Sequence, residues 1–282
     1  MGARGFDVRG VVRSPGKGLA LGVPLVAADL GDAASLARAF EGASAVVANA
    51  ALSTRKSAPW SAFEQANLGG VENTLRAAAA AGVPRVVLIS TIAVYRAWPG
   101  RPNPESTPLL TSPGLPLTPT LLTTNWRYSL SKARGEALAW RLAAELGLQL
   151  TVLRPGPIYG PRDTKMTAMY AAWMRRSWVL APTVRLPHVH ASDVAGAVAG
   201  ALARPESAGR AYNTTGASAS VYEALTTWKR LAGRGPRILS LPVPLAMRFD
   251  DSAAIRELGF SPRSLEDGIR DVLAHPIATE VT

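Results

Sequence analysis

The chain has 282 residues, of which 48% are hydrophobic and 18% charged, and its net charge is +11 at pH 7. These proportions are typical of a folded globular protein and exclude extended disorder, and no apolar run is long enough to predict a membrane span. The chain has no cysteine, which excludes thiolate metal sites and disulfides, and the first ten residues lack the apolar core of a secretion signal. We therefore expect a cytoplasmic protein.

The positive charge is spread along the chain. Only five of the 31 basic residues are lysines, and the arginines occur singly on predicted helices and loops. A nucleic-acid surface usually concentrates such charges in one run or on one face. We therefore predict no nucleic-acid partner and expect a few arginines to serve an anionic small molecule instead.

Apolar runs and amphipathic stretches alternate along the chain, and this alternation predicts strands joined by helices. Such an order is typical of an α/β fold with a parallel sheet. The predicted strands are 8–13, 23–28, 44–49, 84–90, 149–154 and, last, 210–214, and the predicted helices are 32–41, 62–81, 128–147 and 193–203.

Two later regions depart from this alternation. Residues 96–125 carry seven prolines and little periodicity, a pattern typical of a functional loop, and we predict that they form one wall of a substrate cleft. Beyond Arg154 the chain becomes rich in Gly/Pro turns and short helices. The pattern predicts a Rossmann-like domain over 1–155, rejoined by a strand at 211–214, and a small substrate-binding lobe over 156–282.

The segment Tyr128-Ser-Leu-Ser-Lys132 carries the clearest chemical motif. It places a phenol and an ammonium one helical turn apart, at the start of a predicted helix. A predicted buried strand ends just before Thr91, so the Thr91 hydroxyl is expected at the carboxyl edge of the sheet, where open α/β folds bind ligands. A surface Tyr/Lys pair on an ordinary helix is the alternative.

Several blocks in this order resemble the extended short-chain dehydrogenase/reductases, the NAD-dependent epimerase/dehydratase family. Besides Tyr128–Lys132 they are Asp29-Leu30, Val46-Val-Ala-Asn-Ala-Ala51, Asn67-Leu-Gly-Gly-Val-Glu-Asn73, Ser90-Thr-Ile-Ala-Val-Tyr95, Leu153-Arg-Pro-Gly-Pro-Ile-Tyr-Gly-Pro-Arg162, His188-Val-His-Ala-Ser-Asp193 and the tail 249–260. The resemblance covers nearly the whole chain. It implies a doubly wound parallel sheet with a small C-terminal substrate lobe.

The resemblance also implies roles for individual residues. Tyr128 would be the general acid/base, Lys132 would lower its pKa and hold the nicotinamide ribose, and Thr91 would orient the substrate oxygen. The residues expected to contact the cofactor are Arg13, Asp29, Leu30, Asn49, Ala50, Ala51, Asn67, Lys132 and Pro155. Arg13 follows the strand whose end contacts the adenine ribose of the cofactor. An arginine there suits the 2′-phosphate of NADP, so NADP is expected over NAD.

The function implied is NAD(P)-dependent oxidation or reduction of an alcohol/ketone pair in a small-molecule substrate. The sequence favours a hydroxysteroid dehydrogenase or dihydroflavonol reductase type over a nucleotide-sugar epimerase or dehydratase. A non-catalytic Rossmann-fold sensor or scaffold is the alternative from another class. The resemblance allows a homodimer and implies no membrane partner.

One family feature is missing from the sequence. Family members begin with a strand and a glycine-rich turn that binds the cofactor pyrophosphate at a helix N-terminus, whereas here Gly5 is interpreted as the cap of the helix that follows that turn. Residues 16–22 imitate a glycine fingerprint but lead into a predicted strand, so we interpret them as a loop. Two explanations stay open: the coding sequence starts about 25 to 30 residues further upstream, which is the size of one strand–helix unit, or the chain is a non-catalytic member.

Without that central strand, its two neighbours are expected to have unpaired inner edges.

A further candidate site is the His188/His190/Asp193 group, which has metal-ligand chemistry. A structural role is favoured for it, with Asp193 near the start of the next helix, and no metal is predicted.

Overall fold

A computed structural model describes residues 5–14, 16, 22–53, 58–112 and 125–275. Within it the chain divides into two compact units. Unit 1 comprises 1–96, 107–154 and 198–212, and unit 2 comprises 97–106, 155–197 and 213–282. The assignment of a cofactor-binding domain to 1–155 and a substrate lobe to 156–282 is functional, and it stays a prediction.

The strands are short and occur throughout the chain. In order they are β1 (Gly10–Val12), β2 (Leu25–Ala27), β3 (Ala45–Ala48), β4 (Arg85–Ile89), β5 (Pro102–Asn103), β6 (Gln149–Pro155), β7 (Ile158–Tyr159), β8 (Trp178–Pro182), β9 (Arg185–His190), β10 (Arg210–Thr214), β11 (Ala217–Ser220), β12 (Arg237–Leu241) and β13 (Arg248–Phe249).

The α-helices alternate with them. They are α1 (Ala33–Phe40), α2 (Trp60–Glu64), α3 (Gly70–Ala80), α4 (Trp126–Leu146), α5 (Met166–Met174), α6 (Ala191–Ala203), α7 (Val221–Ala232), α8 (Ser252–Leu258) and α9 (Leu265–Ala274). No helix among the described residues is long and apolar enough to cross a membrane.

The unit 1 strands form a parallel arrangement that is interrupted once. β3, β4 and β6 run parallel and β10 follows β6, giving the order β10-β6-β4-β3. β1 and β2 form a separate parallel pair. All five residues of β4 are buried because strands flank it on both sides. This α/β architecture confirms the predicted Rossmann-like fold class. The sheet is interrupted between the β1–β2 pair and β3, the edge strand of the four-stranded part.

The core of unit 1 lies between this sheet and the helices α1, α3 and α4. Its buried side chains include Leu36 and Phe40 from α1, Leu75 from α3, Val86 from β4 and Leu142 from α4. α1 begins at an Asp32 cap whose carboxylate accepts hydrogen bonds from the Ala34 and Ser35 amides, which satisfies two of the first-turn donors. Burial of one apolar face per helix therefore fixes these elements against the sheet.

The predicted helix over 62–81 is wrong in one respect. It begins at Trp60, and residues Gln65–Gly69 form a π-helical turn between α2 and α3. The wider turn lies where α4 comes closest, since a Cβ on Gly135 would stand 2.4 Å from the Asn67 carbonyl oxygen. Only glycine permits this approach of the two helices.

Unit 2 corrects the prediction that 210–214 is the last strand. β11, β12 and β13 follow it and pair respectively with β9, β8 and β5, the first antiparallel and the other two parallel. The core of unit 2 is built around Tyr159, Tyr170, Trp228 and Ile269.

The proline-rich region 96–125 is therefore not wholly irregular, because it contains β5. Its residues 113–124 lie outside the described part of the chain, as do residues 17–21 of the glycine-rich segment 16–22. The predicted cleft wall over 96–125 stays a prediction.

Candidate active site

The predicted site residues of unit 1 collect where its parallel strands end. Arg13 follows β1, Asp29 and Leu30 follow β2, Asn49–Ala51 follow β3, and Thr91 follows β4. Arg13, Asp29, Leu30, Asn49 and Ala50 line one common groove. The carboxyl edge of a parallel sheet is the usual ligand site of such folds, so the strand ends predicted from sequence form a coherent candidate site.

Tyr128, Thr91 and Lys132 meet at the start of α4. Asn125 caps this helix by accepting a hydrogen bond from the Arg127 amide at 3.1 Å, which fixes the first turn that carries Tyr128. A side-chain hydrogen bond joins the Tyr128 and Thr91 hydroxyls. One turn later, the buried Lys132 donates from Nζ to the Ile89 carbonyl oxygen at 2.8 Å, at the end of β4.

The surroundings shift the pKa values of both residues. Burial raises the pKa of the Tyr128 phenol, and the hydrogen bond with Thr91 acts in the opposite direction. Burial lowers the pKa of Lys132 to about 8, against the opposing charge of Glu136. At neutral pH the structure therefore places a neutral phenol beside a hydroxyl and, one turn further on, a buried ammonium.

A buried polar network that the sequence reading missed lies under these residues. Ser90 Oγ donates to Glu136 Oε2 at 2.5 Å, and the Arg154 guanidinium binds Glu136 Oε1 through Nε at 3.0 Å and Nη2 at 2.5 Å. Arg154 Nη1 also donates to the Tyr95 hydroxyl at 2.6 Å. Glu136 is four residues after Lys132 on α4, so the helical spacing indicates that the two side chains share a face. Arg154 lies in the sequence block Leu153-Arg-Pro that carries the family resemblance.

Asn67 connects the loop after β3 to α4. Its Oδ1 accepts from the Leu52 amide at 2.8 Å, while Nδ2 donates to the Leu52 carbonyl at 3.0 Å and to Ser131 Oγ at 2.8 Å. The side chain is 1% exposed. These contacts give Asn67 a positioning role for the segment after Ala51, and direct contact with cofactor stays a prediction.

The remaining predicted cofactor residues occupy simpler positions. Asp29 Oδ1 accepts from the Gly31 amide at 2.7 Å and shapes the turn after β2. Arg13 is exposed at the end of β1, and Pro155 is the buried last residue of β6.

The group His188, His190 and Asp193 belongs to unit 2, where each residue serves the packing. His188 Nε2 lies 3.0 Å from the Tyr170 hydroxyl, and Asp193, in the first turn of α6, binds Arg263 Nε at 3.0 Å. Burial is the main cause that lowers the pKa of His190. Among the described residues, no three His, Cys, Asp or Glu side chains are arranged to hold a metal ion.

A dinucleotide cofactor, which the resemblance implies, fits this arrangement in part. Lys132 and Tyr128 suit the nicotinamide ribose, and Arg13 and Asp29 lie where the adenine ribose would be read. The pyrophosphate requires a helix N-terminus with a close backbone approach, and no glycine-rich turn leading into a helix stands between β1 and β3 in the described residues. The described residues therefore offer expected contacts for the two riboses, which stay a prediction, and they show no cradle for the phosphates.

Comparison with known proteins identifies the family of the chain. The family model described as "NAD dependent epimerase/dehydratase family" matches residues 2–214. The chain belongs to this family. The resemblance stated from the sequence blocks is thereby confirmed, and with it the expectation of an enzyme family that uses a nicotinamide cofactor.

Curated relatives of the chain are plant reductases. It is 30% identical over 233 residues to cinnamoyl-CoA reductase 1 of Oryza sativa subsp. japonica, a match that covers 73% of this chain and 63% of the relative. It is 36% identical over 90 residues to tetraketide alpha-pyrone reductase 2 of Arabidopsis thaliana, which covers 30% and 28%. The chain thus spans less than two thirds of the length of these relatives.

Solved structures share the fold over nearly the whole chain. The structure named gox2253 superposes with a TM-score of 0.79 at 26% identity, covering 96% of this chain and 91% of that one. The UDP-glucose 4-epimerase of Thermus thermophilus, solved with NAD, gives a TM-score of 0.77 at 24% identity over 97% and 92%. The second likeness supports the fold alone.

Proposed function

We propose that the chain is an NAD(P)-dependent reductase that converts a carbonyl group into an alcohol. The observation that carries this proposal is the hydrogen-bonded Thr91–Tyr128 pair at the end of β4, with Lys132 buried one turn further along α4. The nicotinamide cofactor supplies the hydride when it is bound. The protein's own part is to hold the carbonyl and to deliver a proton to its oxygen.

In this proposal Tyr128 donates the proton. The phenolic O–H bond breaks and a new O–H bond forms on the substrate oxygen, after which solvent returns a proton to the phenolate. A raised pKa keeps the phenol protonated at neutral pH, which suits a proton donor. Thr91 donates a second hydrogen bond to the substrate oxygen and fixes its position beside Tyr128. Lys132 holds the cofactor ribose and favours the phenolate formed after transfer.

The curated relatives favour a reductase over an epimerase, since both are named as reductases. The names of the two curated relatives point to carbonyl groups conjugated with an unsaturated system as the substrate class. Neither is a hydroxysteroid dehydrogenase, so the steroid assignment has no support beyond the sequence pattern.

The same residues weigh against a non-catalytic scaffold. Burying a lysine ammonium lowers its pKa and costs stability at neutral pH. A scaffold that needed only its shape gains nothing from that cost, whereas a reductase gains a fixed cation beside its proton donor.

The test is turnover with a panel of conjugated ketones, aldehydes and thioesters, measured as loss of NADPH absorbance, with UDP-glucose as the epimerase substrate. Tyr128→Phe is expected to lower kcat by about 10² to 10⁴-fold with unchanged NADPH affinity, because only the proton donor is lost. Tyr222→Phe on α7 is the matched control and should keep full turnover. Conversion of UDP-glucose without net NADPH loss would favour an epimerase, and absence of both turnover and cofactor binding would favour the scaffold.

A further inference from the structure

Two consecutive turns of α4 place an ammonium and a carboxylate against the end of β4. Lys132 donates from Nζ to the Ile89 carbonyl oxygen at 2.8 Å. One turn later, Glu136 Oε2 accepts from the Ser90 hydroxyl at 2.5 Å. Ile89 and Ser90 are consecutive residues, and Thr91 follows them directly. The two opposite charges are therefore anchored side by side, next to the strand end that carries a hydroxyl of the proposed proton-transfer pair.

Glu136 is held more rigidly than an ordinary carboxylate on a helix surface. The residue is 1% exposed. Its Oε1 accepts from Arg154 Nη2 at 2.5 Å and from Nε at 3.0 Å, while Oε2 is bound by the Ser90 hydroxyl. Arg154 is fixed in turn by donating to the Tyr95 hydroxyl at 2.6 Å. Because both carboxylate oxygens have buried partners, the negative charge stays at one place, a single turn from Lys132.

The surroundings of Lys132 make this carboxylate important for its charge. Burial disfavours the ammonium, and the charge of Glu136 opposes that effect by raising the pKa of Lys132. The other charged or titratable groups around the pair are Tyr128 on α4, Arg154 on β6 and Tyr95 after β4, and β4 itself contributes a carbonyl oxygen. Within the described ranges, Glu136 is the acidic group whose charge acts on Lys132.

We propose that Glu136 is a positioning residue of the reductase, whose fixed carboxylate holds the Lys132 side chain in its charged form near the proton donor. The part of this inference that concerns turnover rests on the proposed function, whereas the charge on Lys132 is measurable in the protein alone. A neutral amine would not favour the phenolate that Tyr128 becomes after proton transfer.

The direction of the effect follows from the sign of the charge. Without the carboxylate, burial acts on Lys132 unopposed, so its pKa falls below about 8 and the ammonium loses its proton at a lower pH. Turnover should then decline at a lower pH as well. A merely structural role for Glu136 would instead lower kcat at every pH and leave the pH dependence unchanged.

The test is an NMR titration of the full chain with carbon-13 at lysine Cε, without cofactor or substrate. The chain has five lysines, and the Lys132 signal is the one missing from Lys132→Met. Its titration midpoint is expected at about pH 8 in the unsubstituted chain and at least about one pH unit lower in Glu136→Gln. Tyr95→Phe removes a hydrogen bond from the same network but no charge, so this matched control should keep the midpoint.

A double variant keeps the test independent of folding defects. Glu136→Gln leaves the Arg154 guanidinium buried without its ion-pair partner, whereas Glu136→Gln/Arg154→Met removes both charges and should fold. The Lys132 midpoint should fall in the double variant too, because Glu136 is the member of the pair that acts on Lys132. An unchanged midpoint in a folded variant without the carboxylate overturns the proposal.

The pH dependence of kcat gives the second readout. The pH above which kcat declines should be lower in Glu136→Gln by the same amount as the NMR midpoint, and Tyr95→Phe should keep the profile of the unsubstituted chain. A loss of kcat at every pH with an unshifted profile would overturn the positioning role. A lowered midpoint in a chain that turns over no carbonyl substrate refutes the reductase but not the link between Glu136 and Lys132, whereas equal midpoints with normal turnover refute only the link.

Discussion

Replacing Lys132 with methionine is expected to stabilise the protein while removing its activity. Lys132 is 6% exposed, and burial lowers its pKa from 10.5 to about 8. A difference of that size corresponds to about 3 kcal/mol against folding at pH 7, because the unfolded chain keeps the charged form more easily. Losing the hydrogen bond to the Ile89 carbonyl reduces this gain in stability by about 1 kcal/mol. The net gain in the free energy of unfolding is about 2 kcal/mol.

The gain in the free energy of unfolding from Lys132→Met should fall as pH rises. The folded-state pKa lies below the unfolded value, so the unsubstituted protein recovers stability as pH rises from 8 toward 10.5 and its lysine becomes neutral. By pH 9.5 the cost of the buried charge has fallen to about 1 kcal/mol, and the advantage of Lys132→Met should nearly vanish.

Urea denaturation at pH 7 and pH 9.5 measures both quantities. Lys229→Met is the matched control, because the exposed Lys229 also donates to a backbone carbonyl, that of Pro236, at 2.9 Å. It should show no gain at either pH. If Lys132→Met is instead less stable than the unsubstituted chain by the same amount at both pH values, the buried Lys132 ammonium does not lower the free energy of unfolding as derived above. That result would refute the prediction.

Substitutions at three other positions test separate parts of the site. Thr91→Ser should retain turnover and Thr91→Val should lose it, in a kcat assay at saturating NADPH, because only serine keeps the hydroxyl that bonds Tyr128. Arg13→Asp should shift the ratio of NADPH to NADH affinity toward NADH, and an unchanged ratio in fluorescence titration would remove Arg13 from the site. Glu136→Leu should lower the free energy of unfolding by about 3 to 5 kcal/mol, since it leaves the Arg154 charge buried and unpaired; a smaller loss in urea titration would mean that water reaches it.

The helices of unit 1 were predictable because they bury apolar faces, and β4 was predictable because its run is apolar after Arg85. The run 84–90 was predicted as a buried strand, and β4 is fully buried there. The π turn Gln65–Gly69 was not predictable, because its cause is the close approach of Gly135 from a different helix. β11, β12 and β13 were missed for a similar reason: they are short and take their form from pairing with distant strands.

The candidate site, like the fold, could be predicted from sequence only where local geometry determines it. Tyr128 and Lys132 are one turn apart on a single helix, so their proximity follows from local geometry and was readable in the sequence. Glu136 continues that spacing, yet its role depends on Arg154, which reaches it only because β6 lies beside β4. A carboxylate four residues after Lys132 could equally have been a solvated helix charge. The tertiary arrangement buries it, and once it is buried its guanidinium and hydroxyl partners become obligatory, because an unpaired charge there would cost several kcal/mol.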